Sequence, residues 1–279
     1  MKLNDKPVGI FDSGIGGLSV VRQVSKLLPN EKLIYFGDTA RVPYGSKSPQ
    51  VVREFALQDA FFLSDKNVKA MIIACNTASA EALDLLQKEF DIPIIGVIKP
   101  GAGFAANITK NGKIGVIGTH GTIASGAYKT ELLAVNSSLE VESAACPLLV
   151  PLVEEGWESK EVTKEIIEEY LSPLINKSID TLILGCTHYP ILKPLIQEVV
   201  GDEVVLVDSA EASAAELERI LNDKDLSASN EDTPVEHEYY VSDFPFKFKE
   251  TAERFLGRRL PEVELIPLDR LESRVKAIT

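Results

Sequence analysis

The chain is poor in the residues that usually staple or anchor a protein. In 279 residues it has three cysteines, two methionines, one tryptophan and three histidines. An odd number of cysteines without disulfide-like spacing excludes a disulfide framework and fits a reducing compartment, so a cytoplasmic location is expected. No apolar run reaches the length of a membrane span, and the Met1-to-Pro7 stretch is polar and charged, unlike a signal sequence. Basic residues are outnumbered, 29 Lys and Arg against 42 Asp and Glu, which leaves a net charge of −13. A nucleic-acid partner or an anionic membrane would need a basic face, so neither is expected. The glycine-rich loop near the N-terminus has no Gly-Lys-Ser/Thr after it and lacks the full dinucleotide fingerprint, so it gives no support to a nucleotide cofactor.

What is present is the pattern of an α/β protein. A hydrophobic fraction of 45% and a charged fraction of 25% are those of a globular chain, and its length suggests two domains. Val8–Phe11 predicts a buried strand, Asp12–Gly17 a loop of backbone donors suited to an anionic group, and Leu18, Val21, Val24 and Leu28 one face of a helix. Leu33–Asp38 predicts a second strand, and Arg41–Ser46 a loop with Pro43 and Gly45 for turning and Tyr44 and Ser46 for hydrogen bonds. A helix carrying Val51, Val52, Phe55, Ala56, Phe62 and Leu63 follows, then the strand Ala70–Ala74. A helix over Ala78–Phe90, with Glu81 in its first turn, and a strand within Asp91–Val97 complete the run. Strand and helix alternate throughout, which predicts a doubly wound parallel sheet.

From Lys99 the pattern starts again. Ile114–Thr119 repeats the first strand and Thr122–Ser125 opens a helix as Leu18-Ser19 did. Cys146–Trp157 reads as a long loop, with Pro147 and Pro151 denying it regular structure, before a helix over Val162–Ile175. Thr181–Gly185 then matches the Ala70–Ala74 strand. Val204–Asp208 predicts a strand, Glu211–Leu221 a helix and Asn222–Pro234 a surface loop. Glu238–Val241 and Val263–Ile266 predict strands, with a helix over Phe246–Leu256 between them stopped by Gly257. These last elements are too few for a third domain and are expected to rejoin the first. The expected architecture is two similar doubly wound parallel-sheet α/β domains, residues 1–97 plus 208–279 and residues 98–207, with the site in the cleft between them.

The chemistry points to that cleft. Cys75 and Cys186 each follow a buried strand and a small residue and precede polar residues and a helix, where N–H groups and the helix dipole favour a thiolate. Asp12, Ser13, Asn76, Thr119, Thr187 and His188 fall at the same strand ends. One cysteine on each wall suits a reaction with mirror symmetry: a thiolate removes a proton from a carbon stereocentre and the opposing thiol returns one to the other face. If both thiols titrate independently near 8.5, about 6% of molecules at pH 7 hold the mixed state; tuned near 7, about half do. Thiol tuning is therefore worth under about tenfold, and carbanion stabilisation through loop N–H groups and the hydroxyls of Ser13, Thr77 and Thr187 must supply more. Two other readings stay open. A thiol redox or metal-binding protein would use Cys75, Cys186 and His188, although the usual Cys or His companions of a zinc site are missing. An amino-acid-binding module would have the cleft without the chemistry. Cys146 reads as structural, His120 and His237 as loop or surface, and which of Glu154 and Glu155 faces a cleft is left open.

The motifs Phe11-Asp12-Ser13-Gly14-Ile15-Gly16-Gly17, Pro43-Tyr44-Gly45, Ala74-Cys75-Asn76-Thr77, Pro151-Leu152-Val153-Glu154 and Gly185-Cys186-Thr187-His188-Tyr189-Pro190 together resemble the cofactor-independent glutamate racemases of the aspartate/glutamate racemase superfamily. The resemblance implies that Cys75 and Cys186 are the acid–base pair, assisted by Asp12 and His188 respectively, with Glu154 near the site. It implies that Ser13, Tyr44, Gly45, Asn76, Thr77, Thr187 and His188 hold the amino acid, with no metal and no cofactor; Asp12 and Thr119, at the same strand ends, are expected to join them. The implied product is D-glutamate for peptidoglycan. Aspartate racemase is the alternative within the superfamily, since pocket volume sets substrate length. A homodimer is the expected assembly. The short stretch before Pro7 lacks the extension of members activated by a cell-wall precursor, so no such activation is expected.

Overall fold

The computed structural model describes residues 3–229, 235–244 and 248–276. The chain opens with β1 (Val8–Asp12), α1 (Leu18–Leu27), β2 (Leu33–Gly37), α2 (Pro49–Asp65), β3 (Ala70–Ile73), α3 (Asn76–Glu89) and β4 (Ile94–Gly96). It continues through α4 (Ile98–Ile108), β5 (Lys113–Gly118), α5 (His120–Ala124), α6 (Ala127–Val135), β6 (Glu140–Ala145), α7 (Leu149–Glu154), α8 (Glu161–Ile175), β7 (Thr181–Gly185), α9 (Lys193–Val200) and β8 (Val205–Asp208). The last part holds α10 (Ser209–Asp223), β9 (Glu238–Val241), α11 (Phe248–Leu256), β10 (Val263–Leu265) and α12 (Leu268–Lys276).

Two sheets form, and every pairing is parallel. The first runs β10-β9-β2-β1-β3-β4 and the second β6-β5-β7-β8. The inner order β2-β1-β3-β4 of one is the order β6-β5-β7-β8 of the other, so β3 and β7, the strands that lead to Cys75 and Cys186, hold equivalent places. The strands read as apolar runs because helices cover both faces of a parallel sheet. Phe11, Phe36, Met71 and Ile73 share a core cluster with Ala56 of α2 and Ala82 of α3 in the first lobe. Val116, Ile183 and Val207 do the same with Ala102 of α4 and Leu132 of α6 in the second. A third cluster joins the lobes, from Val8, Ile10 and Ile72 to Ile117, Leu182 and Leu184.

Several sequence expectations are corrected. The Cys146–Trp157 stretch is not wholly irregular: α7 lies within it, because Pro151 is the third helical residue, where the missing N–H would have had no partner inside the helix. α3 begins at Asn76, so Glu81 lies beyond the first turn and instead pairs with Arg53 at 3.3 Å. The helix at Thr122 ends after one turn, and Gly126, at φ +67°, redirects the chain into α6. β6 has no counterpart among the expected strands, since Glu140-Val141-Glu142-Ser143 on a half-exposed edge carries no strong apolar pattern. His237, expected in a loop or at the surface, lies half-buried in the loop just before β9, where its ring accepts from the Leu33 N–H at 3.3 Å and meets the Ser25 hydroxyl at 3.1 Å. α10 runs on to Asp223, two residues into the expected surface loop, and α11 starts at Phe248. The far end of that loop, residues 230–234, and the first part of the helix expected from Phe246 lie outside the described residues.

A buried ion pair pins the end of the first sheet farthest from the cysteines. Lys69 Nζ lies 2.6 Å from a Glu31 carboxylate oxygen, and both side chains are shielded from solvent. Nζ also donates to the carbonyls of Asn4 and Leu226, while Glu31 accepts from the Ala228 N–H. Lys69→Met should cost about 3–5 kcal/mol in urea unfolding, because Glu31 is left charged and dry. A Lys69→Met/Glu31→Leu double variant that loses as much as the single would show that buried charge is not the cause.

Candidate active site

Both cysteines stand where a parallel strand ends and the chain turns. Cys75 is the N-cap of α3, and its Sγ accepts from the Ala78 N–H at 3.5 Å. Cys186 follows β7 at the matching position of the second sheet, and its carbonyl accepts from the Tyr189 N–H at 3.1 Å. Both are buried, and both line one cavity between the lobes. Ser13, Tyr44, Gly45, Asn76 and Thr77 complete the first-lobe wall, and Thr119, Glu154, Thr187 and His188 the second. Asp12 does not line the cavity. It ends β1 fully buried, with Oδ2 accepting from the N–H groups of Gly14 (3.1 Å) and Gly17 (3.0 Å) at the start of α1. Of Glu154 and Glu155, it is Glu154 that reaches the site, where its Oε1 lies 3.2 Å from His188 Nε2. His188 Nδ1 in turn lies 3.9 Å from the Cys186 sulfur.

The lobes meet closely around this cavity. The hydroxyls of Thr77, Thr119 and Thr122 form a triangle with sides of 2.9, 3.1 and 3.1 Å across the gap, and Tyr128 of α6 donates to Asn76 Oδ1 at 2.7 Å. Two glycines make the approach possible. A Cβ on Gly45 would collide with the Thr119 side chain, and one on Gly16 with the Thr187 hydroxyl. The enclosed volume is about 30 Å³, room for about one water molecule. An amino acid is several times larger, so the lobes must part to admit one.

Charge is distributed unequally between the walls. Burial, followed by the nearby Asp12, pushes the Cys75 thiol up to about 12, with a Ser13 hydrogen bond opposing. Burial also raises the Asp12 carboxyl above its ordinary range, partly offset by His188 and the loop N–H donors. On the other wall, burial alone would lower His188, but its hydrogen bonds to Cys186 and Glu154 outweigh it and hold the ring at about 10. Around neutral pH a neutral thiol on Cys75 therefore faces a Cys186 sulfur with a cation beside it. That pair can give a proton from one side and take one from the other.

The sequence pointed to all of these residues, but it missed others. Val42 and Val150 line the cavity without a polar signal. Phe255 packs its ring edge on His188 at 5.2 Å, and Arg254 donates to the Val153 carbonyl at the end of α7. Both come from the late helix α11, and nothing local in their sequence marks the contact. Cys146 is buried, and its carbonyl accepts from the Tyr189 hydroxyl, a packing role.

The Asp/Glu/Hydantoin racemase family model matches residues 16–217. Over 264 residues the chain is 50% identical to the glutamate racemase of Geobacter metallireducens, covering 95% of this chain and 97% of that one. The crystal structure of the Francisella tularensis glutamate racemase in complex with D-glutamate superposes with a TM-score of 0.90 at 42% identity, covering 95% and 99% of the two chains. A glutamate racemase from Bacillus anthracis superposes at 0.91 with 41% identity, covering 95% and 98%.

The His188–Glu154 contact has a measurable consequence. Since the folded value lies above the ordinary 6.5, the stabilisation is complete below that value and is lost as pH rises through about 10. Glu154→Gln should bring the His188 titration down, as read from its ring-proton resonances. An unchanged titration would remove Glu154 as the partner that holds the charge.

Proposed function

The chain belongs to the Asp/Glu/Hydantoin racemase family, and on that premise we propose that it interconverts L- and D-glutamate by proton transfer between Cys75 and Cys186 through the substrate α-carbon. The observation that carries this reading is the twin placement: one buried thiol at the equivalent strand end of each sheet, both facing a single cavity. The relatives' names support glutamate as substrate.

In the cycle we infer, the lobes separate, admit the amino acid and close on it. With Cys186 as thiolate, held by the His188 imidazolium, its sulfur takes the α-proton from one face. The electron pair left on carbon is delocalised into the α-carboxylate. The Cys75 thiol then gives its proton to the opposite face, and the Ser13 hydroxyl and the Ala78 N–H meet the negative charge left on its sulfur. The reverse direction exchanges the two roles. N–H groups at the start of α3 and the hydroxyls of Ser13, Thr77 and Thr187 surround the place where charge builds up. Glu154 keeps His188 charged and oriented. Three free thiols, two of them in the reaction, suit the reducing cytoplasm. The family resemblance supports the supply of D-glutamate to peptidoglycan and the homodimer.

Incubation with L-glutamate in D₂O tests the reading: optical rotation should fall to zero while deuterium enters the α-position. Cys75→Ala and Cys186→Ala should each lower kcat by about 10⁴-fold or more, since each removes one of the two proton-transfer groups. Full activity in either variant would remove the mechanism. Faster α-exchange with L-aspartate than with L-glutamate would assign the enzyme to the shorter substrate.

A further inference from the structure

Behind Tyr44 on the first-lobe side of the cavity lies a cluster of polar side chains shielded from solvent. Asp38 and Asp59 are fully buried, Tyr44 is 1% exposed and Arg41 8%. The guanidinium donates from Nε to Asp38 Oδ2 at 2.6 Å, from Nη2 to Asp59 Oδ1 at 3.2 Å and from Nη1 to the Gln58 side-chain carbonyl. Ser242, just after β9, donates to Asp38 Oδ1 at 2.8 Å. The Tyr44 hydroxyl oxygen sits 2.5 Å from Asp38 Oδ2 and 2.9 Å from Asp59 Oδ2.

A phenol has one proton to donate, and here it meets two carboxyl groups. With both ionised, one of the contacts would set lone pair against lone pair, and two anions would share one cation in a dry interior. A second proton resolves both conflicts. Asp38 is the better-supported anion, with the short Arg41 bond, Ser242 and Tyr44 all donating to it. Asp59 has the long Arg41 contact and the 2.9 Å contact with the Tyr44 oxygen, whose one proton goes to the nearer Asp38 oxygen. The proton therefore belongs on Asp59, which donates to the Tyr44 oxygen while Tyr44 donates to Asp38. Burial, then the Asp38 charge, raises the Asp59 carboxyl well above its ordinary range, and Arg41 only partly opposes them.

We propose that Asp59, held as the neutral acid, is a positioning residue for racemisation: it fixes the Tyr44 ring, and with it the Pro43–Gly45 wall that closes against Thr119. The kinetic part of this proposal rests on the racemase reading; the proton on Asp59 does not. The charged and titratable groups facing Asp59 are Asp38 from the end of β2, Arg41 and Tyr44 from the segment after it, and Asp12 from the end of β1. Ionisation of Asp59 on raising the pH would leave Tyr44 between two anions and loosen the wall.

Two variants test the role. Asp59→Asn preserves a neutral partner of the same shape and should keep the wild-type KM at neutral pH. Asp59→Leu should raise KM about tenfold with a smaller change in kcat, the loss of one buried hydrogen bond. In the wild type KM should climb toward alkaline pH, and in Asp59→Asn this climb should flatten, whereas the titration of the cysteines and His188 acts on both alike. Infrared spectra of the free protein should show the carbonyl stretch of a buried protonated carboxyl that Asp59→Asn lacks. Superimposable KM–pH profiles, or no band lost in Asp59→Asn, would overturn the proposal. A band lost as expected in a protein that never exchanges the α-proton of glutamate would count against the racemase reading and would equally end the positioning role.

Discussion

In the racemisation proposed above, two groups must reach one carbon stereocentre from opposite sides, close enough to touch it and far enough apart to admit it. The rest of this fold serves that spacing. Each cysteine is carried at the end of an inner strand of a parallel sheet, with a helical turn starting shortly after it, so neither sulfur can drift. The two sheets repeat one strand order, which lets a single solution to the placement of a thiol serve both walls. The apolar cluster that runs from β1 and β3 into β5 and β7 then keeps the two solutions in register with each other.

Symmetry in the backbone does not extend to the charges. Cys75 is pushed toward the neutral thiol by burial and by a neighbouring carboxyl, while Cys186 has an imidazole held up by its hydrogen bonds to Cys186 itself and to Glu154. Nothing would distinguish two identical thiols in identical surroundings; a carboxyl behind one and an imidazole beside the other do. The price is a dry interior with several charges in it, and the enzyme tolerates it by partnering them: Asp12 with loop N–H groups, His188 with Glu154, Asp38 with Arg41. Close contact of the lobes keeps those partnerships dry, and small residues such as Gly16 and Gly45 make room for it.

The sheet strands that carry the cysteines were legible because a buried parallel strand is an unbroken apolar run, and Ala70–Ile73 and Thr181–Gly185 have no competing pattern. Site residues clustered in short motifs were legible for the same reason: Cys75, Asn76 and Thr77 share one turn. Edge strand β6 was not, because its alternating Glu and Ser face solvent and its pairing with β5 alone defines it. α7 was hidden by Pro151, whose effect depends on which helical turn it occupies. Asp59 reads in sequence as one of several polar positions in helix α2, and its meaning lies in Asp38 and Tyr44, which the chain delivers from other elements. Phe255 reaches His188 across 67 positions of sequence, a tertiary contact without any local trace.

The strands β9 and β10 extend the edge of the first sheet beyond β2, although that sheet's other four strands are all in place by Gly96. During synthesis on the ribosome, the second sheet, whose strands run without interruption from Lys113 to Asp208, can therefore finish folding while the older one still waits for its final pieces. Until they emerge, β2 is an unpaired edge and His188 lacks its ring contact with Phe255.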